Sequence, residues 1–411
     1  MRLMLSFASL FASVMLLQLS SGGVGPLDAL TGLAAGFGTA QVGVLGSAHF
    51  LGFFIGCWWA PRLMGSVGHA RTYAAFTALG AIGLAAHVLV TNPAWWALFR
   101  LASGLCVAGC YTVIEAWLQA KVTNQTRGRA MGSYRVVDIV ASLGAQFMIG
   151  TLASVPTYIA YNLLTIVCCA SLLPLAISRA EQPATALAPR LRPALSWRIS
   201  PLATLGVMVA GLSSASFRMV GPIYGQAVGL RPDQIGTFLA IYVAGGGLAQ
   251  YPVGWLADKF DRRWVLIGLS VASIGTSLAT IGAAQMGPLA ILVAAGLVGL
   301  STYPIYSISA AHAHDFAEDD ARVELSAALM FFYALGAIAA PWGTSVLIQH
   351  FGPPALFVVL AAAHLGLVIF GFARMRARPS PAERMGYVYV PRTSFIVGRL
   401  LRRGRGAAGD S

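Results

Sequence analysis

The sequence predicts an all-α membrane protein with twelve transmembrane helices, arranged as two six-helix bundles related by pseudo-symmetry. Three observations predict it. Of 411 residues, 57% are hydrophobic and only 10% are charged, with a mean hydropathy of +0.73. That is more apolar surface than one soluble core of this length buries. Apolar runs of about 20 residues, enough to carry a helix across a ~30 Å hydrocarbon layer, recur along nearly the whole chain. Finally, the runs of the second half echo those of the first.

The expected spans are 3–23, 41–61, 73–91, 95–117, 136–154, 158–178, 201–225, 235–256, 264–284, 288–311, 325–348 and 354–373. The first resembles a cleavable signal peptide, but its apolar run is long and eleven more spans follow, so it reads as a retained helix. The net charge of +13 does not point to nucleic acid, because its placement is topological. Basic residues fall in alternate loops: Arg62 and Arg71; Lys121, Arg127, Arg129 and Arg135; Arg179, Arg190, Arg192 and Arg198; Lys259, Arg262 and Arg263; Arg322; then the tail. The opposite loops hold only Arg231. This positive-inside pattern puts both termini in the cytoplasm. Arginine outnumbers lysine 25 to 2, the usage of a GC-rich bacterial genome, so the expected location is a bacterial cytoplasmic (inner) membrane. The five cysteines, Cys57, Cys106, Cys110, Cys168 and Cys169, all fall within spans and read as small packing residues.

Residues 1–180 form the expected N-terminal bundle, 181–200 a cytoplasmic linker, 201–375 the C-terminal bundle and 376–411 a basic cytoplasmic tail. The polar stretch around the linker carries Pro183, Pro189 and Pro193 and cannot span a bilayer. Gln41-Val42-Gly43 opens span two and Gln234-Ile235-Gly236 opens span eight, 193 residues later. At that offset Gly52 meets Gly245 and Pro61 meets Gly254, whereas Gly65 meets Asp258. A duplicated six-helix unit is a construction common among secondary transporters.

The ten residues GWLADKFDRR, 254–263, hold five charges in the tight turn between spans eight and nine. Charge there is solvated and fixes orientation. Asp258, just past a helix end, is also placed to accept N–H bonds from a neighbouring helix start and so to hold a cytoplasmic gate shut.

At these residues the sequence resembles the major facilitator superfamily, whose loops between helices two and three and between eight and nine carry a pattern like G-x-L-A-D-R/K-x-G-R-R. Gly254, Leu256, Ala257, Asp258, Lys259, Arg262 and Arg263 match it, with Asp261 in place of the usual glycine. The first-half copy is degraded to Pro61, Gly65, Gly68 and Arg71 and lacks the acid. RLASGLCVAG from Arg100 is similar to the family's membrane-embedded arginine followed by Gly104, and GAIAAPWG from Gly336 to its kinked helices. Helix five has no proline between Gly144 and Gly150, so the signature associated with drug/proton antiporters is absent there. YTVIEAWL, RGRAMGSYR and the loop pattern most resemble the YcaD-type bacterial branch. The resemblance implies the superfamily fold over residues 1 to about 375 and transport by rocking of the two halves, with Asp258 and its basic neighbours closing the cytoplasmic side.

Ionisable residues inside spans are costly, roughly 2.5–3.5 kcal/mol each on insertion scales, so each is a functional candidate. Glu115 is the candidate proton carrier; the competing reading pairs it with Arg135. Arg218, ahead of Gly221 and Pro222, is the candidate contact for an anionic substrate, against snorkelling to the interface. Arg100, His49, Gln146, Tyr242, Tyr303 and Tyr306 complete the candidate cavity. Arg135 and Asp138, three apart, read as a pair, and His87 is a weaker titratable candidate than His49. HAHDFAEDD from His312 superficially resembles a metal cluster but reads as a helix-end segment.

The expected function is secondary active transport of a small organic solute, a metabolite or drug-like compound, coupled to protons. No Walker sequence supports ATP use. The expected partners are the small-molecule substrate, the proton and the lipid bilayer, with no nucleic acid; the chain is expected to work as a monomer without cofactor or metal, and not as an enzyme. The alternatives are a transporter-derived sensor signalling through its basic tail and, less favoured, a polytopic membrane enzyme.

Overall fold

A computed structural model describes residues 2–122, 126–177, 190–318 and 321–377. Most of the linker, Asp319, Asp320 and the tail beyond 377 lie outside the described residues. These form fifteen helices: α1 Arg2–Ala34, α2 Thr39–Val67, α3 His69–Ala86, α4 Pro93–Lys121, α5 Arg127–Ser154, α6 Thr157–Ala170, α7 Leu173–Ile177, α8 Pro193–Ile199, α9 Pro201–Ala227, α10 Pro232–Lys259, α11 Arg262–Ala283, α12 Pro288–Thr302, α13 Ile305–His314, α14 Arg322–Phe351 and α15 Ala355–Ala377.

Ten stretches are long and apolar enough to cross a membrane, with α6–α7 and α12–α13 each counted as one. The expected third and eighth spans exist as α3 and α10 but are less apolar: α3 opens on His69 and Arg71, and α10 carries Gln234, Gln250, Pro252 and a run of three glycines, Gly245–Gly247. Span ten breaks at Tyr303 because Pro304 cannot donate the next helical hydrogen bond. The linker contains the short helix α8. Local chemistry starts several helices: Asn92 accepts from the Ala94 N–H at 2.9 Å ahead of Pro93, and Ser200 accepts from the Ala203 N–H at 3.3 Å ahead of Pro201.

The first span needs correction. It runs to Ala34, eleven residues past its expected end, straight through Gly22-Gly23-Val24-Gly25-Pro26. Pro26 has no N–H for the carbonyl of Gly22 four residues earlier. The side-chain amide of Gln146 on α5 donates to that carbonyl instead, at 3.2 Å. A neighbouring helix thus satisfies the backbone group that the proline orphans, which is how proline survives inside membrane helices.

Packing repeats between the halves. α2 and α3 pack on α4, α1 on α5 and α6, and α3 on α6; correspondingly α10 and α11 pack on α12, α9 on α14 and α15, and α11 on α15. The repeat holds at single residues. Gly36 and Gly229, 193 apart, both take positive φ, +87° and +82°, which glycine adopts freely. Two residues on, Gln41 accepts the Gly38 N–H at 2.8 Å near the start of α2, and Gln234 accepts the Arg231 N–H at 3.0 Å at the start of α10. A Cβ on Gly104 would overlap the carbonyl oxygen of His49, and one on Gly299 that of Tyr242, again 193 residues from His49. The halves meet where α2 packs on α14 and α5 on α10, with α1 against α9 between.

Candidate substrate cavity and charge network

The loops rich in arginine mark one end of the bundle, here the basic end. The contacts that seal the halves together lie toward the other end. Gly43 and Gly46 of α2 sit against Ser345 and Pro341 of α14 so closely that a Cβ on either would clash, and the Trp342 N–H donates to Ser47 Oγ at 3.2 Å. Gly236 of α10 faces the Gln146 carbonyl, and Gly150 of α5 faces Asp233. Below this seal a cavity with about 1130 Å³ of free space, including its open mouth, separates the halves.

The N-terminal half lines it with Gln18, His49, Tyr111, Arg135, Asp138 and Gln146, and the C-terminal half with Ser214, Arg218, Met219, Tyr303 and Tyr333. Four expected cavity residues, His49, Gln146, Arg218 and Tyr303, therefore share one lining. Arg218 is half-buried, and among the described residues no hydrogen bond or ion pair engages its side chain. Arg135 and Asp138 do pair, at 3.3 Å, and the Tyr111 hydroxyl lies 2.5 Å from the other Asp138 oxygen and 2.8 Å from Gln18 Oε1.

Three expected residues lie elsewhere. Tyr242 is fully buried, its ring stacked on Phe217 with centroids 3.8 Å apart, and Tyr306 packs edge-on against Tyr333. Arg100 sits behind the lining, 1% exposed, in a cluster that the sequence reading missed. Its centre is Asp28. The Arg100 guanidinium is 3.1 Å from Asp28, the Tyr161 hydroxyl donates to Asp28 at 2.5 Å, and His87 lies 3.7 Å away. Asp28 went unread because the first span was ended at residue 23, leaving this acid in a loop. A second chain of contacts leads from here to the cavity: Arg100 donates to Ser103 Oγ at 3.3 Å, and Ser103 Oγ is 3.2 Å from His49 Nδ1.

Glu115 is fully buried off the cavity, where it accepts the Tyr134 hydroxyl at 3.1 Å. The loop GWLADKFDRR is less solvated than expected. Arg262 is 1% exposed, bonded to Asp315 at 2.5 Å and to the Ala311 carbonyl at 3.0 Å, so it ties the start of α11 to the end of α13. The reason is geometric: α13 ends beside it, and its free carbonyls attract a cation. Asp261, in the glycine place of the motif, caps α11 by accepting the Arg263 N–H at 3.0 Å and grips the Arg263 guanidinium at 2.7 Å. Gly254 is buried, Lys259 lies 5.0 Å over the Trp255 ring, and Asp258 is half exposed, 3.7 Å from Arg262. Asp315 is thus engaged within the His312 segment, and among the described residues no group of three or more His, Cys, Asp or Glu is placed to hold a metal ion.

A multi-pass membrane protein with a polar cavity between two sets of helices, lined from both, has the layout of a membrane transporter. The sequence profile of the Major Facilitator Superfamily matches residues 203–404. Relatives include the uncharacterized MFS-type transporter YcaD of Escherichia coli O7:K1 (strain IAI39 / ExPEC), 29% identical over 350 residues, covering 84% of this chain and 90% of that one. An uncharacterized MFS-type transporter of Enterobacter sp. (strain 638) is 28% identical over 348 residues, 84% and 89% of the two chains. Among solved structures, a bacterial homolog of the human lysosomal transporter Spinster, in an inward-facing and occupied conformation, superposes with a TM-score of 0.73 at 15% identity, covering 92% and 99%. The nucleoside transporter NupG gives 0.70 at 14%, covering 90% and 99%. The chain is thus similar to the major facilitator superfamily over its second half and, over most of its length, to transporters of the YcaD type.

Proposed function

We propose that this chain is a proton-coupled secondary transporter of a small organic solute bearing an anionic group, working by alternating access in a bacterial inner membrane. The observation that carries the reading is Arg218: an arginine in the wall of the cavity between the halves, with no partner among the described residues. An unpaired guanidinium in such a place is costly unless a ligand anion visits it. The two six-helix units, 1–180 and 201–375, are the moving bodies. The seal at the end away from the basic loops supports a state open to the cytoplasm.

For proton coupling the geometry favours Asp28 over Glu115. Asp28 is linked through Arg100, Ser103 and His49 to the cavity wall, so the solute and the acid have a physical route to influence each other. The test is a thermal-shift screen of the purified chain against monocarboxylates and antimicrobials at two pH values. Ligand at a hundredfold excess over Kd raises stability by about 2.7 kcal/mol. Anionic hits whose shift disappears in Arg218→Gln are expected. Their pH dependence should vanish in Asp28→Asn and persist in Glu115→Gln. The reverse pattern would return coupling to Glu115, and pH-independent hits in the wild type would leave a uniporter or a binding protein.

A further inference from the structure

The two walls of the cavity differ in hydrogen-bonding sense. On the C-terminal side Arg218 offers only donors. On the N-terminal side Gln146 and Asp138 present acceptors, beside the donors of Arg135. Gln146 is 3% exposed and gives its amide N–H to the Gly22 carbonyl, a group that can only accept, so the amide orientation is fixed and its Oε1 faces the other way, with no hydrogen-bond partner among the described residues. Asp138 receives the Tyr111 hydroxyl on one oxygen and Arg135 on the other, two of about four acceptor positions on a carboxylate. The Tyr111 hydroxyl has one proton but touches both Asp138 and Gln18. With that proton on Asp138, Gln18 must turn its NH₂ to the phenol oxygen, and its own oxygen becomes a further acceptor. Arg135 and Asp138 cancel in charge, leaving Arg218 as the net positive charge of the lining.

We infer that the solute is a monoanion that also carries an uncharged hydrogen-bond donor, a hydroxyl above all: Arg218 takes the anion, and the acceptors Asp138 and Gln146, about 12 Å apart along α5, offer alternative places for the donor. The inference rests on the transport reading above and extends it to the substrate class. A site with buried acceptors aimed at a hydroxyl discriminates strongly against an analogue that lacks it, because the acceptors are then left unpaired. A zwitterion would meet Arg218 with its carboxylate but bring an ammonium charge that the lining does not balance, because Asp138 is already paired with Arg135.

The experiment measures binding to the full-length purified chain of straight-chain monocarboxylates of three to eight carbons. Each is compared with its hydroxylated partner, the methyl ester of that partner, and the corresponding amino acid. The hydroxy acids are expected to bind at least tenfold tighter than the deoxy acids, and the esters not to bind. That preference should fall to about twofold in one of Asp138→Ala and Gln146→Leu, whichever removes the acceptor that holds the donor. Equal binding of hydroxy and deoxy acids by the wild type, or tighter binding of the amino acids, would overturn this inference while leaving an anion site at Arg218. Carboxylate binding unchanged by Arg218→Gln would instead overturn the anionic reading itself.

Discussion

Among single residues, the buried charges divide by what they touch. Arg262 and Asp315 touch each other and a helix end, both 1% exposed. Removing one member of such a pair leaves an uncompensated charge, at about 3–5 kcal/mol, whereas replacing both by apolar residues of similar volume is close to neutral. Asp315→Ala is therefore expected to lower the melting temperature sharply, with Arg262→Met/Asp315→Leu restoring most of it; a small effect of the single change would mean that the pair is open to water. Asp28 differs in kind. Its partners come from three other helices, α3's C-cap His87, α4's Arg100 and α6's Tyr161, so its protonation state bears on how the N-terminal helices sit together.

Between helices, the close crossings of α2 with α4 and of α10 with α12 rest on glycine, since the association of helices in lipid depends on backbone approach. Gly104→Ala is expected to destabilise by roughly 1–3 kcal/mol, because the new methyl overlaps the His49 carbonyl of a packed helix. Gly275→Ala on α11, where nothing lies within 4 Å of the added carbon, is expected to stabilise by about 0.4–1 kcal/mol. Thermal unfolding of the two variants in the same detergent checks both, and equal shifts would refute the crossing argument. Pro26 shows contact between helices acting on the backbone in the other direction: it is tolerated because Gln146 serves the carbonyl it frees.

Across the molecule as a unit, the seal between α2 and α14 leaves no room for a side chain at Gly43. Gly43→Leu is expected to pry that end open and shift the population toward the opposite state. Ser47→Cys, half-buried in the otherwise wild-type chain where Ser47 meets Trp342, should then react faster with a membrane-impermeant maleimide. Unchanged labelling would mean that the seal yields elsewhere.

That the chain crosses the membrane many times, is built of repeats and resembles this superfamily was legible in the order of its residues. Apolar run length, alternation of basic loops and the 193-residue echo are local or periodic properties, and lipid leaves helices as the only solution for such runs. Arg218, His49, Gln146 and Tyr303 were legible too, because polar groups inside apolar spans are rare and stand out. Asp28 was not: the fate of a Gly/Pro stretch depends on whether another helix supplies the missing donor, and that is settled only when the helices pack. The burial of Arg262, the stacking of Tyr242 in the core and the contrast between an unpaired Arg218 and a paired Arg100 belong to the same level. Each turns on which helices are neighbours, and neighbours are set by packing between segments far apart in the chain.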